Sequence, residues 1–189
     1  MKINNIEIYG LEESIVASSY PMSRDIKQRG AHHSDYDRAD KLAGCKSGTG
    51  HDCFMKGIIV QADVTAPQYW WLQYQRYHFT DIVSSQSKMH RITIMDTEEH
   101  CNKYVLAANI GNLKRIIDIY KKEPTDYNFQ SIIANCPMGL MLIARISTNY
   151  LQLKTIYQQR ENHKLEEWHI FCNWIENLRC SEWITGNAS

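Results

Sequence analysis

The chain has 189 residues, 43% of them hydrophobic and 22% charged, which is the balance of one folded domain of ordinary size. Its 21 basic and 21 acidic side chains cancel, so no global positive field draws in a nucleic-acid polymer or an anionic membrane surface. Apolar runs such as residues 138–144 fall well short of the roughly 20 residues a membrane span needs, and residues 1–7 lack the apolar core of a signal peptide. The expectation is therefore a cytoplasmic protein whose six cysteines are reduced.

In chain order, Ile3, Ile6 and Ile8 alternate with polar residues and predict a strand over 2–9. Residues 10–50 are polar and rich in His, Asp, Gly and Ser. They predict a short helix near 12–18, a loop, and a second helix around 36–43. The β-branched run 57–65 predicts a strand. Pro67 then suits the first turn of a helix reaching about residue 78. Residues 91–95 fit a short strand or a helix end. Apolar positions over 97–122 recur at helical spacing, with an interruption near Gly111 and a stop at Pro124. Helix is predicted again at 128–134. A strand buried on both faces follows at 138–147, then helices at 149–158 and 162–178, with Asn162 as a candidate cap for the last. This mixed order predicts an α+β fold, a mixed sheet with flanking helices in a single domain.

In the helix after Pro67, Gln73 and Arg76 stand three apart and share a face. A planar amide beside a planar guanidinium suits a flat, anionic ligand such as a nucleotide; the same spacing also suits an amphipathic helix with a solvated face. Residues 84–91 crowd Ser84, Ser85, Gln86, Ser87 and Lys88 ahead of His90 and Arg91. Donors of this kind suit a phosphate edge, and equally a solvated serine-rich loop. Arg160 favours a helix C-terminus through the dipole alone. His32, His33, Cys45, His51 and Cys53 are dense but lack Cys-x2-Cys or His-x3-His spacing, so no metal is expected. Cys136, in an apolar setting with no adjacent cation, reads as an inert thiol. No Gly-x-Ser-x-Gly elbow, P-loop or Gly-x-Gly-x-x-Gly is present.

The Gly50-His51-Asp52 turn, Ala66-Pro67 and Leu72-Gln73-Tyr74-Gln75-Arg76-Tyr77-His78 together resemble ThyX, the flavin-dependent thymidylate synthase family. That family sets a Gly-His-Glu turn before a strand, then Ala-Pro, then a helix bearing Arg-Gln-x-x-Arg-His-Arg. Its second block, a Leu-Pro-x-x-Leu strand ending in Asn and a helix closing on Leu-Arg-x-x-x-His with a downstream Trp, is similar to Cys136-Pro137-Met138-Gly139-Leu140, Thr148-Asn149, and Gln159-Arg160 with His163 and Trp168. The two blocks cover roughly residues 35–92 and 132–178, in the same order.

The resemblance implies a homotetramer with FAD at subunit interfaces. Its reaction is the reductive methylation of dUMP, or a related pyrimidine nucleotide, with methylenetetrahydrofolate and NADPH as co-substrates. It assigns Gln73, Arg76 and Arg160 to catalysis and nucleotide binding, and Ser84, Ser85, Gln86, Ser87 and Lys88 to the substrate. It assigns His51, Arg76, Tyr77, His78, Asn149 and His163 to the flavin. The family signature Arg-His-Arg-x-x-Ser-x-Asn-Glu-x-Ser-x-Arg-Tyr is altered. Its first triplet reads Arg76-Tyr77-His78, Ser84 stands at the acidic position, Gln86 at the serine and Lys88 at the second arginine. Ile133 stands where the family has a further nucleotide-binding arginine. These departures imply an alternative, a non-catalytic nucleotide-binding protein on the same scaffold.

Overall fold

A computed structural model describes residues 1–26, 29–46 and 48–186. The chain is α+β, as its patterning predicts, and its described residues form four strands in one antiparallel sheet of order β1-β2-β4-β3. The strands are β1 (Lys2–Tyr9), β2 (Ile59–Pro67), β3 (Asp81–Ser85) and β4 (Met141–Asn149). The helices are α1 (Leu11–Ala17), α2 (His33–Ala43), α3 (Gln68–Tyr74), α4 (Lys88–Arg91), α5 (Ala107–Lys122), α6 (Asp126–Ala134), α7 (Tyr150–Arg160), α8 (Glu166–Glu176) and α9 (Glu182–Thr185). A 3-10 turn spans His51–Gly57. None of these helices is long and apolar enough to cross a membrane.

The described chain forms two compact units. The first comprises residues 1–2, 64–76 and 82–145. Its core gathers Ile92, Leu113, Ile116, Ile117, Ile132 and Leu140. The buried positions of α5, Leu113, Ile116 and Ile117, fall at the i, i+3, i+4 spacing of one helical face. Pro124 ends α5, and Thr125 caps α6 by accepting from the Asn128 amide at 3.2 Å. Trp70 and Tyr74 are fully buried and stacked, with ring centroids 4.9 Å apart.

The second unit comprises residues 3–63, 77–81 and 146–189. Helix α8 buries Trp168, Phe171, Cys172 and Ile175, again one face. Burying side chains of this size contributes about 1.5–3 kcal/mol each. Gly10 sits at φ +69°, and a Cβ there would come within 2.6 Å of the Gly57 carbonyl oxygen, so only glycine fits. Asp35 is buried and accepts from Arg29 Nη2 at 2.8 Å, Arg38 Nη2 at 2.6 Å and the His32 amide at 2.9 Å. These bonds hold its carboxyl far below the ordinary aspartate range, the Arg29 bond first and the His32 bond next.

Four expectations change. The helix after Pro67 ends at Tyr74 rather than near 78, because residues 75–79 form a turn in which Phe79 takes φ +63°. Ser84 and Ser85, expected in a phosphate-edge or solvated serine-rich loop, lie instead in β3, an edge strand that keeps its polar side chains exposed. The helical pattern over 97–122 becomes helix only from Ala107, and Gly111 lies inside it without a break. Asn162 does not cap α8, whose N-cap position is Leu165 with no side-chain capping bond.

Candidate functional site

Gly50 opens the 3-10 turn at φ +85°, a conformation glycine adopts without strain. The next two residues diverge. His51 is exposed, whereas Asp52 is buried and ion-paired to Lys154 Nζ at 3.1 Å. Lys154 is 5% exposed and also donates to the Ala43 carbonyl at 2.7 Å. A buried charge requires such pairing, and this pair ties the turn to α7.

Where α7 ends, Arg160 enters an aromatic cage. Its Nε donates to the Tyr77 hydroxyl at 2.6 Å, and its guanidinium carbon lies 4.5 Å from the Trp168 ring centroid and 5.4 Å from that of Tyr77. Tyr77 in turn donates to Gln159 Oε1 at 3.1 Å. His163 packs edge-on to Trp168 at 6.2 Å, and its Nδ1 accepts from the Leu165 amide at 3.1 Å. Burial first, then the Arg160 charge and His169, hold the His163 imidazole below the usual histidine range. A neutral ring thus lies beside a fixed cation. The sequence pattern marked Arg160, Tyr77 and His163 separately, and the second unit brings them together.

The same unit contains a cleft of about 400 Å³ lined by Lys56, Phe79, Asn149, Leu151, Gln152 and Thr155. Asn149 Oδ1 caps α7 by accepting from the Gln152 amide at 2.9 Å. Phe79 is 76% exposed, and Lys56 makes no side-chain hydrogen bond or ion pair with the described residues. One cation, amides, a hydroxyl and an exposed ring match the groups of a phosphorylated planar cofactor.

In the first unit, Gln73 lies half-buried on α3. Arg76 lies beyond the helix end, in the turn, where its amide bonds to the Gln73 carbonyl at 3.3 Å. The Arg76 side chain is exposed and has no partner among the described residues. Ser84 and Ser85 sit exposed on β3. Gln86 pairs with Ile143 through two bonds, its amide donating to the Ile143 carbonyl at 2.9 Å and its Oε1 accepting from the Ile143 amide at 3.4 Å. Ser87 occupies the N-cap of α4 without a capping bond, and Lys88 Nζ donates to Gln68 Oε1 at 3.1 Å. His78 is exposed in the turn of the second unit. Among the described residues no three His, Cys, Asp or Glu side chains gather to hold a metal ion.

No protein-family model matches the chain, and no curated protein matches its sequence. Solved structures do. Flavin-dependent thymidylate synthase ThyX from Helicobacter pylori, complexed with FAD and dUMP, matches with a TM-score of 0.77 at 10% identity, over 98% of this chain and 97% of that one. A second structure of Helicobacter pylori ThyX with FAD and dUMP gives 0.78 at 11% identity, over the same shares of the two chains.

The fold is that of ThyX.

On this ThyX fold two polar side chains after β3 turn onto the protein itself. Gln86 and Lys88 bond to the protein's own Ile143 and Gln68. Tyr77 supplies the hydroxyl that fixes Arg160. Three residues carry weight that the sequence pattern did not assign to them. Trp168 appeared only as a periodic apolar position and a downstream match, yet it backs the Arg160 guanidinium. Lys154 and Asp52 form a buried pair that no linear spacing marks, since 102 positions separate them.

Proposed function

We propose that this protein is a divergent flavin-dependent thymidylate synthase, catalysing reductive methylation of dUMP or a closely related pyrimidine nucleotide. The observation that carries the reading is the ThyX fold over nearly the whole of both chains. The caged Arg160 and the unpartnered Arg76 support it, being cations suited to an anionic, planar guest. In this reading Gln73, Arg76 and Arg160 hold the nucleotide. Ser84, Ser85, Gln86, Ser87 and Lys88 border the substrate, with the carboxamide of Gln86 and the ammonium of Lys88 partly engaged internally.

His51, Arg76, Tyr77, His78, Asn149 and His163 contact FAD, and the protein assembles as a homotetramer. When bound, the flavin supplies the hydride chemistry, with NADPH and methylenetetrahydrofolate as co-substrates. The chain's own part is to bind, orient and exclude water. Lys56 meets anionic oxygens, Phe79 offers a stacking face, and the neutral His163 beside Arg160, its Nδ1 taken by the Leu165 amide, presents an Nε2–H donor. The test is NADPH oxidation by the FAD-loaded protein with dUMP and methylenetetrahydrofolate. Formation of thymidylate that needs all of these components is expected; its absence with flavin and nucleotide both bound rejects the reading.

A second reading is favoured by one observation, the inward commitment of Gln86 and Lys88 at signature positions. It is a nucleotide-binding protein without turnover on the same scaffold. Calorimetric binding of dUMP with no NADPH oxidation selects it, and flavin-dependent turnover excludes it.

A further inference from the structure

Within the first unit, α3, β3, β4 and Met138 bound a cleft of about 280 Å³. Its walls are apolar, built from Trp71, Leu72, Ile82, Met138 and Leu142. The Trp71 indole N–H is committed to the Ala66 and Leu142 carbonyls, at 3.1 and 3.2 Å, so the ring offers the cleft only carbon surface. No charged side chain lines the cleft; its polar groups are Gln68, Gln75, Ser85 and Gln86. Gln68 is engaged at both ends, donating to the Pro137 carbonyl at 3.0 Å and accepting from Lys88 at 3.1 Å. The Lys88 ammonium is thereby turned onto Gln68.

Three polar groups remain. The Gln75 carboxamide and the Ser85 hydroxyl have no partner among the described residues, and Gln86 uses Oε1 on Ile143 while its Nε2 makes no bond. An anion in such a cleft would lose its hydration without meeting a cation, which is strongly unfavourable. A neutral flat ring loses little on entering apolar walls. If its edge carries adjacent N–H and C=O groups, it also meets the one side chain with a matching donor–acceptor pair, the Gln75 carboxamide.

We infer that this cleft is a binding subsite for an uncharged planar lactam ring, a pyrimidine or a pterin, read by Gln75 with Ser85 and Gln86 beside it, and that it excludes phosphate. The inference rests on the pyrimidine-and-folate reading above and sharpens it, assigning ring recognition chiefly to Gln75, which is not a signature residue. Gln75 is exposed at the end of α3, so its replacement leaves the core intact.

The experiment is calorimetry on the full chain, wild type and Gln75→Leu, with 2′-deoxyuridine, N3-methyl-2′-deoxyuridine, dUMP and 6-hydroxymethylpterin. Binding of deoxyuridine or of the pterin is expected, and the one that binds identifies the ring. Gln75→Leu weakens that ligand at least tenfold. If the ring is the pyrimidine, the variant weakens dUMP by the same factor, and N3-methylation of the nucleoside weakens it comparably. A Gln75→Glu variant, which keeps the size and adds charge, does the same. Failure of both rings to bind, or equal affinity in wild type and Gln75→Leu, overturns the inference, as does a Leu72→Glu variant that dissociates an oligomer whose second copy fills the cleft. FAD titration and NADPH oxidation on the same samples separate the two claims. Gln75-dependent ring binding without flavin uptake defeats the synthase reading alone, and flavin-dependent turnover untouched by Gln75→Leu defeats the inference alone.

Discussion

The Tyr77 hydroxyl accepts a 2.6 Å hydrogen bond from Arg160 Nε while Trp168 backs the same guanidinium at 4.5 Å. A long, flexible side chain is thereby fixed before any ligand arrives, which lowers the entropy lost on binding. Tyr77→Phe removes the hydrogen bond and keeps the ring. The expected result is an intact fold and a dUMP affinity weakened by about 1 kcal/mol, the usual contribution of one such bond. Calorimetry on the two proteins measures it, and identical affinities would remove Tyr77 from the site.

Arg76 differs in kind, because nothing in the described chain holds it. Arg76→Ala is expected to leave the melting temperature unchanged and to weaken dUMP by about 1.5–3 kcal/mol, the range for a hydrogen bond to a charged group. Deoxyuridine, without a phosphate, should bind both proteins alike. An unaltered dUMP dissociation constant contradicts the assignment.

How much of this was legible in sequence depends on whether a residue's role is set locally. Helix α8 was readable because Trp168, Phe171, Cys172 and Ile175 repeat at helical spacing, and β2 because its residues are β-branched. Strand β3 was not, since Asp81, Ser84 and Ser85 leave an exposed edge with little alternation. Gln73 and Arg76 were expected on one helical face, but the helix ends between them, at Tyr74, through a turn whose positive φ falls on a phenylalanine rather than a glycine. The partners of Arg160 and Asp52 are distant in sequence, and only folding reveals them.

Lys154 and Asp52 lie among α7, α2 and the His51 turn, with side chains 6% and 2% exposed. Lys154→Met strands a buried carboxylate and is expected to cost about 3–5 kcal/mol of stability, whereas Asp52→Asn with Lys154→Met removes both charges and costs less. Urea unfolding of the single and double variants decides. A single variant as stable as wild type would mean that the pair does not clamp the turn.

Asp35 makes an acid-sensitive fastener for α1 and α2. Its folded pKa is depressed by Arg29, His32 and Arg38, so the unfolded chain binds the proton more readily. Its stabilisation is complete above the unfolded aspartate value of about 4 and is lost as pH falls below that toward the folded value. Thermal melts from pH 6 to pH 2 should show wild type losing stability faster than Asp35→Asn below about pH 4. Parallel curves would show that Asp35 is not the group responsible.

The most direct measurement for the whole account is an FAD titration followed by visible absorbance and flavin fluorescence, with and without dUMP. Saturable uptake is expected, with a shifted flavin band, quenched emission and a further spectral change when dUMP is added. A flavin spectrum that stays that of free FAD at every protein concentration, with or without nucleotide, would contradict the proposed function and leave a ThyX fold put to another use.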